Sequence, residues 1–174
     1  MTTSPILLTR RSALGLLIAG AVAPAAYGQQ LSAPSDRVIL EVAGSIKLTN
    51  ADKRARFDLK MLEQVGVTRV ATSTPWTEGK PVFEGVLIRD LLRRVGANGD
   101  IVTPVAINDY KIDIPRAELE KYPVLLAYRM NGEALRVRDK GPLWIVYPRD
   151  QFPELDTKPI QSRWVWQVKE LQVR

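Results

Sequence analysis

The segment FEGVLIRDLL, residues 83–92, ends in the apolar pattern of a helix. Its last two leucines and Val95 recur at the spacing that places apolar side chains on one helical face. Gly96 follows directly and is placed to end the helix, because glycine readily adopts the backbone angles found just beyond helix ends. The pattern predicts a short helix over residues 90–95 whose leucines lie in the core.

On both sides of this segment, the predicted elements alternate quickly and strands outnumber helices. Asp58 is placed to cap a helix over residues 59–65, and Pro115 favours the first position of another. Asn131-Gly132 is a hairpin signal, after which residues 135–137 are expected to pair back. Strands are predicted over residues 37–42, 67–72, 101–107, 111–114, 124–130, 143–146 and 163–173. These elements predict an α+β domain with short helices and long loops.

The composition is that of one globular domain, and it removes several classes of site. The 174 residues are 45% apolar and 25% charged, which is the ordinary range for a folded chain. The chain contains no cysteine and no histidine. Disulfides, zinc fingers, cysteine-bound iron–sulfur clusters and nucleophiles activated by histidine are therefore excluded.

The first 29 residues have the pattern of an export signal. Arg10 and Arg11 precede an apolar run, and small residues at positions 26 and 28 favour cleavage after Gly28. The run over residues 13–26 is shorter than the ~20 apolar residues that a membrane-spanning helix needs, so an uncleaved anchor is the weaker alternative. The paired arginines resemble a twin-arginine signal. We expect a periplasmic domain over residues 30–174, with no membrane span after cleavage.

The net charge is mildly positive. The whole chain carries +6, and removal of two signal arginines leaves +4 on the predicted mature domain. The basic residues are scattered, so a nucleic-acid partner is not indicated. Arg136, Arg138 and Lys140 cluster around Asp139. The cluster is typical of a charged, soluble strand edge, and the alternative is a contact with an anion or phosphate.

Four segments, in this order, resemble the oxidoreductase molybdopterin-binding domain of the sulfite oxidase family and its bacterial periplasmic relatives. FEGVLIRDLL (83–92) is similar to the family pattern W-x-G-x-P-L-x-D-L-L, and VLLAYRMNGEAL (124–135) to L-L-A-x-x-x-N-G-x-P-L. GPLWIVYP (141–148) is similar to P-L-R-L-V-V-P, and SRWV (162–165) to the K-W-V before the last strand. The resemblance covers residues 38–173. It implies a sulfite oxidase-type fold with mixed β-sheets, and a molybdopterin cofactor.

In this family, the strand after the first helix ends in the cysteine whose thiolate binds molybdenum. The resemblance places that position at Thr72, with Ser73 and Thr74 as neighbours. A hydroxyl is far harder to deprotonate than a thiol, and it is a weaker ligand. Trp144 also stands where the family has an arginine. The usual anchor of the metal is therefore missing.

The resemblance implies a set of candidate cofactor-binding residues, and each has a purely structural alternative. Trp76 could anchor its loop to the core, and the nearby hydroxyls could satisfy amides in a turn. Asn108 and Tyr110 resemble a family loop near the active site, or form a hairpin turn around Asp109. Arg163 could hold a phosphate, or cover Trp164. The candidates are Thr72, Ser73, Thr74, Trp76, Asn108, Tyr110, Arg138, Lys140 and Arg163.

Three functions are compatible with these features. The first is a molybdenum oxidoreductase with a Thr or Ser alkoxide ligand. The second is a periplasmic module that binds a small molecule without redox chemistry, and the third is an interaction domain for a membrane-bound sensor or receptor. Molybdopterin is the cofactor that the resemblance implies, whereas the missing cysteine favours a chain that binds none.

Overall fold

A computed structural model of the chain describes Met1 and residues 31–174. Apart from Met1, the expected signal peptide lies outside these residues. Within the described ranges, no helix is long and apolar enough to cross a membrane.

Strands dominate the described part of the chain, which confirms the α+β class. The strands are β1 (Leu40–Gly44), β2 (Ala55–Phe57), β3 (Thr68–Ala71), β4 (Val82–Leu87), β5 (Ile101–Ala106), β6 (Ile114–Pro115), β7 (Leu125–Met130), β8 (Glu133–Ala134), β9 (Trp144–Val146) and β10 (Val168–Val173). The helices are α1 (Leu59–Val65), α2 (Ile88–Arg94), α3 (Arg116–Lys121) and α4 (Lys158–Gln161), and 3₁₀ turns lie at Val137–Asp139 and Pro153–Leu155.

The strands form two sheets. Sheet one has the order β2-β1-β10-β5-β6, and its β1 and β10 run parallel, with Glu41 opposite Glu170. The other pairs of sheet one are antiparallel. Sheet two has the order β3-β4-β7-β8, with β9 also paired to β7, and it is antiparallel throughout. The core contains β1 of sheet one, β7 and β9 of sheet two, and the buried face of α2.

The segment at residues 83–92 spans β4 and α2 without a loop between them. The helix begins at Ile88, two residues before the predicted start, and the Ile88 amide donates to the Val124 carbonyl at 3.0 Å. Strand β4 was not predicted from the sequence, because Val86 and Leu87 are both buried. Two successive buried side chains do not show the apolar–polar alternation that marks a half-exposed strand. The leucines of α2 are buried, as expected.

The predicted cap of α1 is confirmed. The Asp58 side chain is fully buried, and its Oδ1 accepts from the Met61 amide at 2.8 Å. Its Oδ2 accepts from the amides of Ser35 at 2.8 Å and Asp36 at 3.1 Å. Asp58 therefore ties the start of α1 to the segment that leads into β1, a contact between residues more than 20 positions apart.

Replacement of Asp58 with alanine is expected to lower the free energy of unfolding by about 2 kcal/mol at neutral pH, because it removes a cap and leaves two further amides without an acceptor. Burial raises the pKa of Asp58, but the amides of Met61, Ser35 and Asp36 outweigh it and hold the pKa below 3.8. The stabilisation is therefore complete above pH 3.8 and is lost as the pH falls below it.

Urea denaturation of the wild type and of Asp58→Ala between pH 3 and pH 7 measures both effects. Asp36→Ala is a suitable control, since its exposed carboxylate accepts only from the adjacent Arg37 amide among the described residues. A stability difference between Asp58→Ala and the wild type that stays constant across this pH range would contradict the role assigned to the carboxylate.

Three predicted strands differ from the structure, and of the one over residues 111–114 only Ile114 lies in a strand. The Asn131-Gly132 turn does connect β7 to β8, with Met130 opposite Glu133, but pairing begins before residue 135. The expected strand over residues 135–137 is wrong: β8 ends at Ala134, only the Leu135 amide still donates to β7, at the Tyr128 carbonyl, and the chain then enters a 3₁₀ turn. The expected strand over residues 163–173 begins only at Val168. Gln167 precedes it with φ of 54°, a left-handed conformation that interrupts an extended strand.

Candidate functional site

The loop that follows β3 carries the position at which the resemblance places the metal-binding cysteine. Thr72 is fully buried, and its amide donates to the Pro81 carbonyl at 3.2 Å. The Thr72 hydroxyl oxygen accepts a long hydrogen bond from the Asp150 amide and donates another to the Ser73 carbonyl, both at 3.4 Å. The hydroxyl therefore lies within the protein interior and faces backbone groups.

Ser73 is held by Asp150 in what we call the serine clasp, made of Ser73, Lys80, Arg149 and Asp150. Ser73 donates twice to the Asp150 carboxylate, from Oγ at 2.6 Å and from its amide at 3.2 Å. Arg149 Nε donates to the same Oγ at 3.1 Å, and Lys80 lies 3.1 Å from Asp150. The hydrogen bond from Ser73 lowers the pKa of Asp150, and Lys80 adds to that effect. The Ser73 hydroxyl thus donates to a carboxylate and accepts from a guanidinium.

The Thr74 hydroxyl forms hydrogen bonds within its own turn. Its Oγ1 accepts from the Trp76 amide at 3.0 Å and lies 2.8 Å from the Thr77 hydroxyl. This is the structural role considered for the hydroxyls of this loop. It also fixes the position of Trp76 on the core.

Four tryptophans pack together beside this loop. The ring centroid of Trp76 lies 6.3 Å from that of Trp144, 6.0 Å from that of Trp164 and 5.3 Å from that of Trp166. Trp144 is fully buried and Trp76 is 38% exposed. Trp76 therefore anchors its loop to the core, as one alternative predicted, and also presents an aromatic surface to solvent.

A cleft of about 550 Å³ opens at the exposed side of the tryptophans, and we call it the tryptophan cleft. Its lining combines aromatic and apolar groups with charged ones, including Trp76, Trp144, Leu135, Arg136, Arg138 and Lys140. Arg136 pairs with Asp139 at 2.8 Å, and this contact lowers the pKa of Asp139. Lys140 Nζ lies 5.5 Å from the ring centroid of Trp144 and 5.2 Å from that of Trp166, within the range of cation–π contacts.

Arg163 lies in a second depression, with Lys111 and Arg174 among its lining residues. Arg163 forms an ion pair with Glu118, and Glu118 also accepts a hydrogen bond from the buried Tyr147 hydroxyl at 2.7 Å. Burial raises the pKa of Tyr147, and the adjacent Glu118 raises it further. Tyr147 therefore stays protonated and donates, and the guanidinium of Arg163 is already matched by a carboxylate.

The loop with Asn108 and Tyr110 forms the predicted tight turn. The Tyr110 amide donates to Asn108 Oδ1 at 3.2 Å, and Asp109 between them has φ of 64°. The Tyr110 hydroxyl donates to the Ser162 carbonyl at 3.0 Å, next to Arg163. Asp109 pairs with Lys169 at 2.7 Å, a contact that lowers the pKa of Asp109.

The nine candidates therefore lie in several places. Trp76, Arg138 and Lys140 line the tryptophan cleft. Thr72 and Ser73 contact Asp150, and Thr74 lies in the adjoining turn. Asn108 and Tyr110 lie in the turn that contacts Ser162, and Arg163 lies in the second depression, paired with Glu118. Their role in binding a cofactor stays a prediction.

Sequence reasoning missed the partners that decide how these residues are used. Asp150 and Arg149 hold Ser73 from 77 and 76 positions away, and Glu118 holds Arg163 from 45 positions away. Trp164 and Trp166 lie within the segment predicted as a strand over residues 163–173, and two tryptophans so close in sequence are the signal that could have indicated an aromatic cluster. Among the described residues, no group of three or more Asp and Glu side chains is placed to hold a metal ion.

Comparisons with known proteins agree with this architecture. The crystal structure of the sulfane dehydrogenase SoxCD from Paracoccus pantotrophus is similar, with a TM-score of 0.56 and 21% identity, over 77% of this chain and 37% of that chain. The likeness shows the fold, and this chain spans little more than a third of the SoxCD chain. No curated protein matches the sequence.

The family model described as the oxidoreductase molybdopterin binding domain matches residues 49–152, more than half of the chain. The matched range contains the loop after β3, the segment from β4 to α2, and the charged turn of the tryptophan cleft. The chain belongs to the oxidoreductase molybdopterin-binding domain family.

Proposed function

We propose that this chain is an exported, periplasmic member of the family that carries no thiolate-bound molybdenum and binds a small molecule in the tryptophan cleft without redox chemistry. The paired arginines and the apolar run near its start support export. The engaged hydroxyls of Thr72 and Ser73, beside an aromatic cleft with a cationic rim, support binding without a metal centre.

The serine clasp is the observation that carries this proposal. A molybdenum ligand at this loop would have to be an alkoxide, because the chain has no cysteine. Ser73 Oγ already has a carboxylate oxygen at 2.6 Å and a guanidinium nitrogen at 3.1 Å, and Thr72 is fully buried. A carboxylate beside Ser73 also opposes loss of its proton, since a second negative charge would form next to it. The donors present do not fit the molybdenum centre that the family implies.

Cofactor content tests the proposal. The full-length precursor is expressed under molybdate supply, recovered from the periplasmic fraction, and assayed for molybdenum by elemental analysis and for pterin by fluorescence after oxidation. We expect both to be absent from almost all chains. A family member that retains its cysteine, expressed in the same host, is the positive control. Stoichiometric molybdenum and pterin in this chain would overturn the proposal.

Replacement of Thr72 with cysteine is expected not to create a sulfite-oxidising enzyme. Trp144 occupies the position of the family's arginine and is fully buried, so a restored thiolate would face a substrate site without that cation. Molybdenum content and sulfite-dependent reduction of ferricyanide measure the outcome, with Thr72→Ser as the matched control. Sulfite oxidation by Thr72→Cys alone would mean that the rest of the site is intact, contrary to this interpretation.

A second candidate function is an interaction module for a membrane-bound sensor or receptor. Ile107 and Val137 are 46% and 45% exposed. Both contact Gln167, which accepts from the Ile107 amide at 2.9 Å and donates from Nε2 to the Val137 carbonyl at 2.7 Å. Because the backbones of both residues bond to Gln167, the two exposed apolar side chains belong to one region of the surface, and a protein partner would bury them. Crosslinking of the exported protein from a benzoylphenylalanine at Val137 tests this candidate, and recovery of uncrosslinked protein alone would count against it.

A further inference from the structure

The tryptophan cleft combines an aromatic wall with an apolar floor. Trp76 is 38% exposed and contributes the accessible ring, while Met130 and Leu135 add apolar surface. A volume of about 550 Å³ lies within the range that holds a small organic ligand of two or three rings. A planar aromatic molecule can therefore stack in the cleft.

The charged groups of the cleft favour an anion. Three cationic side chains line it, against two carboxylates. One of those carboxylates, Asp139, is matched by Arg136 at 2.8 Å and by Arg138 at 3.6 Å. Lys140, in contrast, forms no ion pair with any described residue, and its ammonium lies within cation–π distance of the rings of Trp144 and Trp166.

The backbone of Lys140 supports the same reading. Lys140 has φ of 74°, a left-handed conformation that residues other than glycine adopt at a cost. The adjacent Gly141 is held against the Leu135 carbonyl so closely that a Cβ there would lie 2.1 Å from its oxygen. The Lys140 carbonyl accepts from the Gln167 amide at 2.9 Å. These contacts fix the strained conformation that places the ammonium over the tryptophans.

Besides the Lys140 ammonium, the cleft has a second hydrogen-bond donor without an acceptor in the described part of the chain, the indole N–H of Trp144. The Trp144 side chain is fully buried and lines the cleft. Its indole Nε1–H has no hydrogen-bond partner among the described residues, whereas buried donors in proteins are almost always paired. The Lys140 ammonium lies 5.5 Å from the centroid of the same ring. An anion paired with Lys140 would therefore lie close to this N–H, and a small shift of the side chains around it would let the anion serve as the missing acceptor.

We propose that the tryptophan cleft binds a planar aromatic molecule that carries one anionic acid group. Its ring stacks on Trp76, and its acid group pairs with Lys140 and accepts from Trp144 Nε1–H. This inference rests on the proposed binding function, because it names the class of ligand for the same cleft.

Titration with 2-naphthoate and with its neutral analogue 2-naphthamide tests the ligand class on the mature protein, with tryptophan fluorescence and calorimetry as readouts. We expect 2-naphthoate to bind about 10-fold more tightly, which is the size of one charge-assisted hydrogen bond. Lys140→Met keeps most of the side-chain length and is expected to reduce the preference to the smaller contribution of the Trp144 N–H. Lys60→Met, on exposed α1 surface outside the cleft, is the matched control and should retain the full preference.

Trp144→Phe supplies an independent readout, since it removes the N–H and keeps an aromatic ring. We expect it to weaken binding of 2-naphthoate several-fold and that of 2-naphthamide less, because a neutral amide oxygen is a weaker acceptor than a carboxylate. Equal affinity of the wild type for the two probes would overturn the anionic class while leaving a binding module in place. If Lys140→Met retains the full preference, the role assigned to Lys140 is wrong. If the wild type binds neither probe, the ligand class is wrong. Stoichiometric molybdenum in the cofactor assay is a separate result, and it alone would remove the proposed function.

Discussion

Gly85→Ala is expected to lower the free energy of unfolding by at least about 3 kcal/mol, a large share of the total stability of a typical domain. Gly85 lies at the irregularity in the pairing of β4 with β7, directly opposite Ala127. A Cβ at this position would lie 2.2 Å from the Leu126 carbonyl oxygen and 2.7 Å from the Ala127 Cα. Both are backbone atoms of a central strand, so the clash can be relieved only by separating the strands.

Gly79→Ala is the matched control for this experiment. A Cβ at Gly79 would meet no atom within 4 Å, and the residue has φ of 63°. Its replacement should therefore cost only the strain of a left-handed alanine, about 1 kcal/mol. Urea denaturation of both variants measures the difference. Equal losses at the two positions would mean that strand separation is not the source of the Gly85 effect.

Trp144→Ala is the second substitution with a large effect, and we expect it to lower the free energy of unfolding by about 4 kcal/mol. Trp144 is fully buried in β9, opposite Ala127 of β7. Its ring meets Phe83 edge to face at a centroid distance of 5.2 Å and contacts three other tryptophans. Alanine would leave a cavity between sheet two and the loop that holds Trp76, and rigid surroundings collapse only partly into such cavities.

Trp144→Phe separates packing from hydrogen bonding at the same position. The indole N–H has no partner among the described residues, so phenylalanine loses ring volume but no protein hydrogen bond. We expect Trp144→Phe to lower the free energy of unfolding by less than about 2 kcal/mol. Thermal unfolding of wild type, Trp144→Phe and Trp144→Ala gives the three values. A phenylalanine variant as unstable as the alanine variant would contradict the expectation that a smaller aromatic ring preserves most of the packing at this position.

Much of the fold could be predicted because its signals are local. Asp58 caps α1 at the expected position, and Asn131-Gly132 forms the expected hairpin turn. In both cases a few adjacent residues hold the whole signal. Strand β4 and the start of β10 were not predicted, since burial on both faces removes alternation at Val86 and a left-handed Gln167 interrupts an apparent strand.

The candidate site was predicted less well, because its decisive contacts join distant parts of the chain. The resemblance selected Trp76, Arg138 and Lys140, and the structure brings these three into one cleft. It also selected Ser73 and Arg163, each of which turns out to be held by a carboxylate far along the chain. No local pattern marks Asp150 as the partner of a serine 77 positions earlier.

The position of β10 in sheet one also determines when this domain can fold. The strand lies between β1 and β5, pairing with one in parallel and with the other antiparallel. During synthesis, β1 and β5 emerge from the ribosome long before residues 168–173, and until then they have no partner on that side. The complete sheet one can therefore form only after residues 168–173 have emerged, and until then β1 and β5 each keep one strand edge unpaired, which exposes the nascent chain to edge-to-edge association.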